Sequence, residues 1–312
     1  MAIFEQEEKK QSDEVQINTF IKVPEDNERS ILSADPQIQR GGLRKLSKEL
    51  QAMFKQCVDD KRRIKLENEK KQTVLFVNSR DGNIFFGQND SNLWSYNVND
   101  FEEISQMQIP AEAMSILSFG GFIYLGLNND SVCIYDIEEM YDFVKDVKTS
   151  SVPLKIIPYI HQHQNRSNES KYIVFLEKDG FIEFFSIEKM EIIFRFQHSC
   201  KFSIQDAIQV INKNEICIGF AQLIDNAYKD GKLSFIEIIF NDQKAEEEIS
   251  IEEIEEVEQF NKKSVFCIQQ ISLNCFVVCV VDKSMKVFNR LKPKIIQDIH
   301  NPSQSIFTYL TL

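Results

Sequence analysis

From Thr73 onward the apolar positions of the chain come in short runs of strand length. Clusters of Asn, Asp, Ser and Gly separate them. This is the pattern of antiparallel strands joined by tight polar turns. The clearest instance is Gly121 to Ile137. Phe122, Tyr124 and Leu127 precede Asn128-Asn129-Asp130-Ser131, and Val132, Ile134 and Tyr135-Asp136-Ile137 follow. Used as a ruler, this hairpin recurs along the chain. The other copies are Asn83–Gln88 with Leu93–Val98, Tyr172–Glu177 with Phe181–Ile187, Glu215–Phe220 with Lys232–Ile238, and Cys275–Val281 with Met285–Asn289. In the fourth unit a longer excursion through Asp230-Gly231 joins the strands.

An apolar anchor lies near the end of each second hairpin strand: Tyr96, Tyr135, Phe185, Ile236 and Phe288. Successive anchors lie roughly 40 to 50 residues apart, the period of four-stranded propeller blades. Each hairpin has an Asp assigned to its turn: Asp90, Asp130, Asp179, Asp230 and Asp282. In the second unit Asn129 holds the register that Asp holds in the others, and Asp130 follows it. Apolar strand-like segments flank every hairpin: Val74–Val77, Met114–Phe119, Ile156–Ile160, Ala207–Ile211 and Phe266–Ile271 before, and Ile104–Ile109, Phe143–Val147, Ile192–Phe196, Ile249–Ile254 and Ile295–Ile299 after. The expected fold is all-β: a β-propeller of about five four-stranded blades over residues 73–312.

The N-terminal part reads differently. Residues 1–42 are polar and are expected to be largely disordered, with a strand-like alternation over Val15–Val23 ended by Pro24. Residues 43–72 form a second segment. Leu43, Leu46, Leu50 and Met53 follow three-four spacing, with Cys57 continuing it and no Gly or Pro inside. That predicts an amphipathic helix, packed on its own domain or pairing as a short coiled coil, through which residues 43–71 would form a dimer. Those four side chains are candidate partner contacts.

Composition narrows the function. The formal net charge is -12, which argues against nucleic acid as a partner, because phosphate binding needs clustered Lys and Arg. The N-terminus lacks an apolar signal region and no run is long enough to span a bilayer. The seven cysteines form no C-x-x-C pair. Free cysteines in apolar runs suit a reducing compartment, so a cytoplasmic location is expected.

The units resemble WD-repeat β-propeller blades. Leu125-Gly126-Leu127-Asn128-Asn129-Asp130-Ser131-Val132-Cys133-Ile134-Tyr135-Asp136 follows the family's pattern through its second and third strands, and Gly87–Asn97 and Glu177–Ser186 follow it more loosely. The Trp-Asp pair is replaced throughout, by Tyr96-Asn97, Tyr135-Asp136, Phe185-Ser186, Ile236-Glu237 and Phe288-Asn289, and no Gly-His pair is present. The family's His–Asp–Ser–Trp network is therefore not expected. Five blades are fewer than most members of that family have. Ser305–Leu312 reads as an inner strand of a further blade, either patched by Val15–Val23 or left to residues beyond this chain.

Other constellations carry less. His161 and His163 fit a metal pair on a strand but lie in a polar stretch that reads as a solvated loop. His198 and His300 read as coincidental. The acidic run Ala245–Glu258 reads as an outer strand with a charged loop, or as a docking strip for a basic partner. No catalytic motif is present, and no cofactor or metal is expected. The resemblance implies a non-catalytic scaffold binding other proteins. The alternatives are a propeller enzyme acting on a small molecule or glycan, and a fragment of a larger signalling or ciliary scaffold.

Overall fold

The computed structural model describes residues 72–300, apart from 79–82, 89–90, 98–102, 138–140, 163–168, 225–226, 242–247, 261, 283 and 293. The helix expected over residues 43–72, the Val15–Val23 strand and the Ser305–Leu312 strand lie outside the described residues.

The described chain is strand throughout, save for a single 3-10 turn at Glu258–Phe260. Twenty strands form five four-stranded antiparallel sheets in which consecutive strands are neighbours. The first blade is β1 (Gln72–Asn78), β2 (Asn83–Gln88), β3 (Asn92–Asn97) and β4 (Glu103–Gln108). The second is β5 (Ala113–Phe119), β6 (Phe122–Leu127), β7 (Ser131–Asp136) and β8 (Asp142–Lys148). The third is β9 (Pro153–Gln162), β10 (Glu169–Glu177), β11 (Phe181–Ser186) and β12 (Glu191–Gln197). The fourth is β13 (Ser203–Gln209), β14 (Glu215–Ile224), β15 (Ala227–Asn241) and β16 (Glu248–Glu256). The fifth is β17 (Val265–Ser272), β18 (Cys275–Val280), β19 (Ser284–Asn289) and β20 (Lys294–His300). No helix among the described residues is long and apolar enough to cross a membrane.

The second, third and fifth blades are buried on both faces along their middle strands, so β6, β7, β11, β18 and β19 are almost continuously buried rather than alternating. Four apolar clusters join consecutive blades. Phe85 and Leu93 meet Ile123, Leu125 and Cys133 between the first and second. Tyr124 and Ile134 meet Ile173, Phe175 and Phe185 between the second and third. Val174 and Phe184 meet Ile218, Phe220 and Ile236 between the third and fourth. Phe235 and Phe260 meet Phe276, Val278 and Phe288 between the fourth and fifth. Edge-to-face ring pairs such as Phe235–Phe276, at 5.4 Å and 74°, interlock the blades.

Gly126 and Gly180 are two of the positions where the backbone lies close against a neighbour. A Cβ on Gly126 would lie 2.2 Å from Ser115 Oγ and 2.6 Å from the Pro153 carbonyl, which are themselves hydrogen bonded at 2.7 Å. Gly180 combines φ +77° with Lys201 Cα 3.1 Å from its missing Cβ.

Candidate interaction surfaces

The turn residues fall as follows. Asp130 and Asp179 sit between the second and third strands of their blades, Asp130 in the left-handed region at φ 57°. Asp282 also precedes a third strand. Its carboxylate accepts from the Ser284 N–H at 3.1 Å and from the Ser284 hydroxyl. Asn129, at the same register of the second blade, accepts from the Ser131 hydroxyl at 2.7 Å. The side chain caps the residue two positions on, which is why Asp and Asn suit this register. Asp230 is not at a turn. The β14–β15 hairpin zips three further rungs, Gln222 with Asp230, Leu223 with Tyr228 and Ile224 with Ala227, and carries Asp230 into a strand. Asp90 lies outside the described residues, as do Leu43, Leu46, Leu50 and Met53.

Two positions before the anchor on the third strand of the second to fifth blades is a row the sequence reading did not single out. Cys133, Glu183, Ser234 and Lys286 are between 0 % and 2 % exposed. Directly opposite on the fourth strand stand Asp146, Arg195, Glu256 and Asp298, respectively. The Cys133 thiol meets Asp146 at 3.8 Å, Glu183 meets Arg195 Nε at 2.9 Å, and Lys286 is bonded to Asp298 with Asp282 at 3.6 Å. The fourth blade differs. There the Glu256 carboxylate takes Lys232, and Ser234 is bonded instead to His198 Nε2 at 3.3 Å.

His198 is therefore not coincidental. It lies in the linker before β13, fully buried. The Cys200 N–H donates to its Nδ1 at 3.1 Å, which leaves the proton on Nε2 for the Ser234 hydroxyl. Glu253 is 3.7 Å from Nδ1, but that nitrogen already accepts a hydrogen bond. Burial holds the ring's pKa below its usual value despite this carboxylate. His161 also departs from the expected solvated loop. It belongs to β9, is 3 % exposed, and stacks on Phe240 at 3.8 Å and 17°. No group of three or more potential metal ligands occurs among the described residues.

Three glutamates of the acidic strip are engaged within the fold. On β16, Glu253 accepts from the Ser199 N–H and hydroxyl at 2.7 and 2.6 Å, Glu255 accepts from Arg290 Nε at 3.0 Å, and Glu256 holds Lys232. Ile249 is buried and Ile251 packs against the core between the third and fourth blades.

Exposed apolar side chains gather at the other end of the sheets, where first strands turn into second and third into fourth. Ile211, Leu273 and Leu291 are 50 %, 41 % and 73 % exposed. Gln270 ties the first two together, accepting from the Ile211 N–H at 2.8 Å and donating to the Leu273 carbonyl at 3.2 Å. The neighbouring turn brings Leu291 alongside, since the Arg290 N–H donates to the Asn274 carbonyl at 2.9 Å. Arg290 itself is fixed by Glu215 and Glu255 and lies 4.0 Å over the Phe235 ring.

No protein-family model matches the sequence, and comparison with curated proteins finds no match. Solved structures do match in fold. The chain is similar to U3-55K with a TM-score of 0.51 and 9 % identity, over 75 % of this chain and 65 % of that one, so it spans less than two thirds of U3-55K. It is also similar to the Myceliophteria thermophila Cps50 (Swd1) β-propeller domain, with a TM-score of 0.47 and 8 % identity over 77 % and 89 % of the two chains. The computationally designed Ika8 protein gives 0.49 and 14 %, over 78 % of each. At these identities the likeness concerns fold alone. Five successive four-stranded antiparallel sheets, packed face to face, define this chain as a β-propeller.

Proposed function

We propose that the chain is a WD-repeat-like propeller that works as a non-catalytic platform for another protein. The observation that carries this reading is the solvent-facing trio Ile211, Leu273 and Leu291 on adjoining turns of the fourth and fifth blades. Three large aliphatic side chains held together on hydrogen-bonded turns cost free energy in water and gain it under a partner. Exposed Lys213 and Lys292 stand in the same turns, with Lys213 ion-paired to Glu215 at 3.3 Å. In a chain of net charge -12 the Lys292 ammonium favours a partner segment with apolar anchors and a flanking carboxylate. The buried Lys286 and the half-buried Arg290 are paired within the blades, which supports a structural rather than a chemical use of these charges.

The test is affinity capture with the tagged full chain, comparing wild type with Ile211→Asp and Leu291→Asp. The expected result is a protein retained by wild type and lost from both variants, whose circular dichroism stays unchanged. Retention of every captured protein by both variants overturns this placement of the surface. A turnover activity lost on substituting a described carboxylate overturns the non-catalytic reading.

A further inference from the structure

The linker between the second and third blades closes over two glutamates that face each other. Glu177 ends β10 and Glu183 lies on β11. Since Phe175 pairs with Glu183, the two acids are diagonal neighbours on one face of the sheet. Both are 0 % exposed. One oxygen of each is satisfied by the linker. Glu177 Oε2 accepts from the Ser151 N–H, and Glu183 Oε1 accepts from the Ser150 N–H at 3.2 Å and the Ser150 hydroxyl at 2.6 Å. The other oxygens, Glu177 Oε1 and Glu183 Oε2, are buried and have no donor.

Among the described residues, positive charge reaches the pair from one side only. From β12, Arg195 Nε lies 2.9 Å from Glu183 Oε1, and its Nη2 donates to the Lys148 carbonyl at 3.4 Å. On β8 the Lys148 ammonium turns to Asp146 at 3.6 Å. In the β10–β11 turn Lys178 and Asp179 are exposed, and the Asp179 N–H donates to the Ser151 hydroxyl at 3.2 Å. Two carboxylates and one guanidinium leave a net negative charge that no other described residue of the blade cancels, and an uncompensated buried charge is costly.

We infer that the native protein holds one proton between Glu177 Oε1 and Glu183 Oε2, and that this proton is what lets the two acids clasp the Ser150–Ser151 linker. One proton satisfies both orphan oxygens as donor and acceptor, and brings the group of two glutamates and Arg195 to neutrality. The two carboxyls are within hydrogen-bonding reach of each other, and burial, with Glu183 adding to it, pushes the Glu177 carboxyl up to about 8. The raised value sets the sign. The folded chain retains a proton that the unfolded chain has lost, so this contribution is complete below the ordinary carboxylate value of 4.5 and is lost as pH rises towards about 8. The clasp is a pH-sensitive joint between two blades, closed under neutral conditions and opened by alkali.

The test is infrared difference spectroscopy of the full chain titrated with acid and alkali, with Glu177→Gln as the paired variant. Wild type is expected to show the carbonyl stretch of a buried protonated carboxylic acid at about pH 7, where ordinary carboxyls are ionised. The band should bleach near pH 8, where the fall in thermal stability that begins above the ordinary carboxylate value is complete. Glu177→Gln keeps a hydrogen-bond donor facing Glu183 and is expected to lack the band and to hold its melting temperature through alkaline pH. Absence of the band from wild type, or its persistence in the variant, overturns the shared proton. Should the variant fail to fold, the wild-type band alone decides, since a carboxyl titrating only in the usual acidic range excludes the clasp. Recovery of alkaline stability on adding calcium or potassium chloride, seen in wild type but not in the variant, would place a cation where the proton is assigned and overturn it too.

Discussion

Lys286 and Asp298 stand directly opposite each other on β19 and β20, and the ammonium that this carboxylate holds belongs to a side chain only 2 % exposed. Its second anion is Asp282, at 3.6 Å. The pair is asymmetric: the lysine is enclosed between blades while Asp298 is 41 % exposed. Removing the anion therefore strands a buried charge, whereas removing the lysine leaves a carboxylate that water can reach. Asp298→Asn is expected to lower stability by about 1–3 kcal/mol, less than for a fully buried pair because Asp282 remains. Lys286→Met should change it by no more than about 1 kcal/mol, since an apolar chain of similar volume replaces the ion. Urea denaturation of the two variants at matched ionic strength checks the asymmetry.

Gly126 fixes how closely the second and third blades approach. Its Cβ position is occupied by Ser115 Oγ and the Pro153 carbonyl, and the latter is backbone and cannot rotate away. Gly126→Ala is expected to cost about 1–3 kcal/mol through overpacking. The double substitution with Ser115→Ala should recover only part of that, because the carbonyl clash persists. Thermal melts of both variants test this.

His198 predicts a pH response opposite in sign to that of the acid pair. Its pKa is lowered by burial below the usual 6.5, so the unfolded chain binds the proton first as pH falls. The stability contribution is present above the usual value and is lost as pH drops through the folded one. Glu253, Lys232 and Glu256 are the charges that act on the ring. His198→Gln should cost about 1–2 kcal/mol in neutral buffer, from the lost bonds to Ser234 and Cys200. It should also remove part of the acid destabilisation of wild type. Melting temperatures measured from neutral to mildly acidic pH in both proteins would show the two curves converging.

Ile211→Asp and Leu291→Asp are expected to leave stability within about 0.5 kcal/mol of wild type, because both side chains already face water. An equilibrium unfolding curve run beside the capture experiment separates a lost surface from a lost fold.

The ladder of strands was legible because turn residues and β-branched or aromatic runs alternate along the chain, as at Gly121 to Ile137. The observed β2, β6 and β7 fall where the apolar runs placed them. Ile211 was assigned to a first strand with Ala207, but β13 ends at Gln209 and leaves Ile211 exposed in a turn. An aliphatic side chain in water looks, in sequence, like the end of a buried run. The Glu183 and Lys286 positions were missed for the opposite reason. On a half-buried strand a charged residue marks the wet face, whereas here the preceding blade covers that face. The available signal was longer range: an opposite charge on the next strand, at the cross-strand register. Asp230 was displaced because nothing local limits how far a hairpin zips, and β14 and β15 continue pairing beyond the usual blade length.

The residues paired across the third and fourth strands also tell the blades apart. Every blade presents the same geometry to its outer strand, so during folding a third strand meets several near-equivalent candidates. Glu183 accepts Arg195 and Lys286 accepts Asp298. Exchanging β12 for β20 would set Arg195 against Lys286 and Glu183 against Asp298, two like-charged pairs, each with one member enclosed by the neighbouring blade. Such a mismatch is penalised where screening is weakest. The outer strands of the third and fifth blades thus carry address labels, and these two look-alike units are told apart by the sign of the charge buried on the third strand of each.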